Sequence, residues 1–110
     1  MIQNTISEIE SKIGSAENVS SARKQELLTL LATLKNEVAE LSKTRGEQAD
    51  SIAGFASLSA HEATRTEPNP QLRELSLQGL RGSVEDLEQS HPQLTQAVNR
   101  ISKMLSDWGI

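Results

Sequence analysis

The sequence predicts an all-α protein: a long antiparallel helical hairpin of coiled-coil character with a short N-terminal helix, forming a helical bundle on dimerisation. Three observations carry that expectation. Apolar residues recur at steps of three and four along most of the chain, with no convincing strand pattern. The strongest punctuation, Thr66-Glu67-Pro68-Asn69-Pro70, separates two long stretches of helix-forming residues. The seams on those two stretches match each other when the chain is folded back at the prolines.

Ile2, Ile6, Ile9 and Ile13 place one apolar stripe on a helix over about residues 2–13. Thr5-Ile6-Ser7-Glu8 has the form of a capping box, which would start its regular part late. Residues 14–21 read as a turn, with Gly14 as a stop and serines suited to cap the next helix. From about 21 to 65, Leu27, Leu31, Leu34, Val38, Leu41, Arg45, Gln48, Ile52, Phe55, Ser59 and Glu62 form a heptad seam. Residues 66–70 are the turn, with Asn69 as N-cap and Pro70 at the first helical position. The last helix, about 70–108, repeats the seam at Arg73, Leu77, Leu80, Val84, Leu87, His91, Leu94, Val98, Ile101, Leu105 and Trp108, leaving Gly109-Ile110 as a frayed end. The whole chain, 1–110, reads as a single helical domain.

In an antiparallel hairpin, the numbers of facing residues must add to a constant. Leu27 with Trp108, Leu34 with Ile101, Leu41 with Leu94 and Phe55 with Leu80 share one total; Leu31 with Leu105, Val38 with Val98 and Ile52 with Val84 share the next. The polar positions match too. Glu62 falls opposite Arg73 as a turn pair, while Arg45 and Gln48 fall opposite His91 as a register-setting polar layer that any slip would set against leucine. Pro92 coincides with that layer, where a bend costs least, so we expect a kink near 91–92 within one helix. The alternative is a fresh helix starting at Pro92 with His91 as its cap, echoing Asn69-Pro70-Gln71-Leu72 in His91-Pro92-Gln93-Leu94.

A second stripe lies off the seam at Ala49, Ala53, Ala56, Ala60 and Ala63, answered on the last helix by Leu72, Leu75, Gly79 and Gly82. Small residues in line let helices approach closely, so this is the candidate oligomer surface of a homodimer with four-helix-bundle character. The plain alternative is that alanine is simply the best helix former. Leu28, Leu30 and Met104 widen the stripe at the other end, where the N-terminal helix can cover them.

Composition narrows the chemistry. One Phe, one Trp, no Tyr and 35% hydrophobic residues in 110 limit the core to a thin one. Eleven basic against 15 acidic residues give a net charge of −4, and no basic run with interleaved aromatics suggests nucleic acid. The absence of cysteine removes disulfides, thiolate zinc sites and thiol catalysis. MIQNTISEIE has no basic segment followed by an apolar run, and apolar runs elsewhere are short, so we expect a cytoplasmic protein with no membrane partner. His61-Glu62 with Arg65 lacks the second histidine of a zinc-protease pattern and reads as a solvated helix end. No phosphate loop and no serine with a base and orienting acid is evident, so we expect no catalytic, cofactor or metal residue and no enzyme. Trp108 reads as a plug at the seam's end, or as an exposed anchor for a partner.

The motifs Ser90-His91-Pro92-Gln93-Leu94, Asn99-Arg100-Ile101 and Gly109-Ile110, with His61-Glu62-Ala63-Thr64-Arg65 and Asn69-Pro70 upstream, resemble a family of short bacterial proteins of unknown function. The resemblance covers roughly residues 55–110 and rests on short motifs. It implies a bacterial source and brings no activity with it. The expectation is therefore a structural or regulatory protein-interaction module, a homodimer with a possible further protein partner. The alternative is a small-ligand or pH-sensing module around Arg45 and His91, a histidine able to titrate near neutrality.

Overall fold

The first long helix starts where its cap is good. Ser20 has β-region backbone, and its hydroxyl accepts from the Arg23 N–H at 3.3 Å, satisfying one of the helix's orphan donors. The computed structural model describes residues 2–15 and 20–108. The expected turn over 16–19, the Gly109-Ile110 end, and the side chains of Ile2 and Trp108 lie outside what is described. Five helices follow in order: α1 (Ile2–Gly14), α2 (Ser21–Leu41), α3 (Gly46–Thr64), α4 (Pro70–Gly82) and α5 (Pro92–Trp108), with a 3₁₀ turn at Glu85–Leu87. No strand occurs among the described residues.

Neither expected long helix is continuous. A straight helix over 21–65 would run to roughly 67 Å at 1.5 Å per residue, whereas the longest dimension of the molecule is 37 Å. The chain leaves α2 at Leu41 and re-enters helix at Gly46. Ser42 and Thr44 hydroxyls donate to the Ala39 and Leu41 carbonyls at 2.7 and 3.4 Å, and the Arg45 N–H returns to the Leu41 carbonyl at 2.8 Å. These local bonds offer the backbone an alternative to helix, and Gly46 adds the entropic cost of a glycine at the restart.

The second interruption is longer than the kink expected at 91–92. α4 ends at Gly82, the Ser83 hydroxyl donates to the Leu80 carbonyl at 2.6 Å, and regular α-helix resumes only at Pro92. His91 precedes a proline and is steered away from helical backbone, while Pro92 loses nothing at a first helical position because its missing N–H would be unpaired there. A fresh helix therefore starts at Pro92. No described residue has positive φ, so both breaks rest on hydrogen-bond competition and proline rather than left-handed caps. At the expected turn, Asn69 does cap α4, accepting from the Leu72 N–H at 3.1 Å.

With both stretches broken, the pieces fold on each other. α3 lies along α4, α2 along α5, and α1 across α2 and α3. One apolar core runs through them, from Leu27, Leu34 and Leu41 of α2 to Leu94, Val98 and Ile101 of α5. α1 contributes Ile6, Ile9 and Ile13, and a Lys35–Glu10 ion pair of 3.3 Å ties it to α2. The alanine stripe faces this core: Ala49, Ala53, Ala56 and Ala60 are buried and Ala63 is packed against them. It is not an outer oligomer surface, because α1 and α4 both pack on α3 within the protomer.

Candidate functional site

Four large apolar side chains remain exposed among the described residues: Phe55 at 38%, Leu58 at 46%, Leu72 at 43% and Leu75 at 54%. All four sit on α3 and α4. Phe55 occupies a seam position expected to face Leu80, but only Leu80 is wholly buried. The Phe55 ring instead lies over α4 at Gly79, where an added Cβ would collide with it. Glycine at that point lets the ring rest on the helix backbone. Gln48, a little earlier on α3, reaches further along the chain to the Ser83 carbonyl at 3.4 Å and the Asp86 carboxylate at 2.8 Å. These contacts run in opposite senses on the two segments, which places Leu58 towards Leu75 and makes the four residues one apolar strip. Leu72 and Leu75 belong to the expected oligomer surface; Gly82 is exposed at the end of α4, and Gly79 is half-buried under Phe55. Leu58 was missed because it lies off the seam, although its spacing of three from Phe55 matches that of Leu72 and Leu75 and could have pointed to a shared face.

The expected polar layer is only partly assembled. Arg45 Nη1 donates to Gln48 Oε1 at 3.4 Å, and Gln48 then clasps the second break through Ser83 and Asp86. His91 is engaged elsewhere: its Nδ1 lies 2.9 Å from the Ser90 hydroxyl, and its carbonyl accepts from Thr95. Of the expected turn pair, Glu62 is buried and accepts from Arg65 Nη1 at 2.8 Å on its own helix end, and Arg73 is half-buried on α4.

Two open clefts of about 380 and 520 Å³ flank the second break and share Glu88, Thr95 and Asn99. The Thr95 hydroxyl is already bonded to the Val84 and His91 carbonyls, and the charged side chains at the rims are long and solvated. Neither cleft presents converging buried polar groups of the kind that orient a small ligand. Among the described residues no group of three or more histidine, aspartate or glutamate side chains could hold a metal ion, and no helix is long and apolar enough to cross a membrane.

No curated protein matches the chain. No solved structure matches it either. A family does match, over residues 27–110, which takes in α2 from Leu27 onward and α3 to α5, with both breaks and the apolar strip, and leaves out α1. On that span the chain belongs to the family described as Domain of unknown function (DUF4404).

Proposed function

We propose that the protein is a non-enzymatic protein-interaction module whose docking surface is the strip of Phe55, Leu58, Leu72 and Leu75. The scaffold we infer for it is the antiparallel hairpin of the sequence, folded in half at its two breaks. The supporting observation is where the exposed large apolar residues fall: on one helix pair, with the remaining apolar seam residues described in the core. Scattered singly they would need no explanation, but together they expose on the order of 300 Å² of apolar surface, the size of patch that on monomers is often functional.

The small-ligand or pH-sensing reading has less behind it. It needs Arg45 and His91 to act together, whereas Arg45 bonds to Gln48 and His91 to Ser90. Affinity capture from the native cell tests the docking reading, comparing the unaltered chain with Leu75→Asp. Leu75 is more than half exposed, so the substitution spares the core. Loss of the captured proteins, including untagged copies of the chain itself, is the expected result; recovery of the same set by both chains overturns it.

A further inference from the structure

We propose that the occupant of the α3–α4 strip is a second copy of this chain, its α3 packed antiparallel against the first about a two-fold axis midway between Gly54 and Leu58 on their exposed face. The proposal rests on the docking reading above and adds the partner's identity and register.

The first argument is Gly54. It sits in the middle of α3, exposed, and a Cβ added there would meet nothing within 4 Å among the described residues. Glycine in a helix interior costs about 0.5–1 kcal/mol relative to alanine. Gly79 has its reason in the Phe55 ring; Gly54 has none inside the protomer. A helix from outside crossing closely at that point supplies one, because interaxial distance is set by the side chains at the crossing.

The second argument is that this face of α3 complements itself. Glu47, Ser51, Gly54, Leu58, His61 and Arg65 follow one another at steps of four and three, a single line along α3 and its C-cap. In an antiparallel pair related by a two-fold axis, facing residues must share a total, and here Glu47 with Arg65, Ser51 with His61, and Gly54 with Leu58 do so. Acid meets base, since Arg65 gives Nη1 to Glu62 of its own protomer at 2.8 Å and keeps further guanidinium donors for a facing Glu47; hydroxyl meets imidazole, and the Leu58 knob meets the gap at Gly54. A parallel pairing would set Glu47 against Glu47 and Arg65 against Arg65, which is repulsive. Ser51 to His61 on this line carry no carboxylate, ammonium or guanidinium, the charge depletion expected at the centre of an interface rather than its rim.

The third argument is size. The 19 residues of α3 span about 28 Å, and two packed helices are roughly 20 Å across. A face of that extent approaches the roughly 800 Å² per partner of a standard interface only when α4, with Leu72 and Leu75, is covered along with α3.

The chain has no cysteine, so two single variants read the register directly. Equal amounts of Ser51→Cys and His61→Cys, mixed and mildly oxidised, should give the mixed disulfide well above its statistical share. Sedimentation equilibrium should show the unaltered chain as a dimer, with dissociation raised on the order of a hundred-fold by Leu58→Asp. Gly54→Leu provides a second variant in case Leu58→Asp unfolds: an added Cβ is unobstructed on this exposed position, so the protomer should still fold, by helical circular dichroism, while the dimer is lost. A monomeric unaltered chain, a dimer indifferent to both substitutions, or disulfides at no more than statistical proportions overturns the proposal. The docking reading fails separately, through capture of the same proteins by the unaltered and Leu75→Asp chains.

Discussion

Leu34 and Leu94 are wholly buried, on two helices that pack together. Truncating either to alanine should cost about 2–5 kcal/mol in denaturant unfolding, the spread reflecting how far the neighbours can collapse into the space. Gly79 is a subtler case, since alanine there gains helix propensity and loses room. Gly79→Ala should destabilise by about 1 kcal/mol or more in the unaltered chain, and stabilise by about 0.5–1 kcal/mol in a Phe55→Ala background. A double-mutant cycle with no coupling would remove the ring contact from the account. Ser59 and Ser102 bury hydroxyls with no hydrogen-bond partner among the described residues. Ser59→Ala should therefore leave stability unchanged or raise it by up to about 1 kcal/mol, and a loss of that size would show that the hydroxyl is satisfied in solution.

Among the elements, the two breaks and the bond between them are the most exposed to test. Gln48→Ala removes the tie from α3 to Ser83 and Asp86, at a cost of about 1 kcal/mol, and amide exchange over 83–91 should accelerate more than in α2 or α5. These elements also show what the residues disclosed in advance. The apolar stripes of α1, α2 and α5 marked their buried faces, because a period near 3.6 reports which side of a helix turns inward. The first break was hidden because that period stays in phase across it, and phase says nothing about whether the axis runs straight; the second stood only as the alternative of a fresh helix at Pro92. Ser42, Thr44 and Gly46 held the signal for the first break, and Pro92 for the second. The alanine stripe was seen but given the wrong neighbour: spacing shows that a close-packed face exists, not that α1 of the same chain fills part of it.

On the scale of the molecule, folding each long stretch in two places α1 over α2 and α3 and leaves the α3–α4 strip uncovered. Gly54→Ala separates protomer from assembly. In dilute solution it should raise the unfolding free energy by about 0.5–1 kcal/mol, while at higher concentration it should weaken dimerisation; a gain in both would leave the glycine unaccounted for. The nested arrangement also imposes an order on folding. Joining α2 to α5 directly would close a loop of all the residues between them, but α3 and α4 need only the few residues of their proline turn to meet, and closure entropy grows with the span left loose. Once that inner pair has formed, α2 and α5 are held apart by little more than the two breaks, so we expect α3–α4 to form before α2–α5.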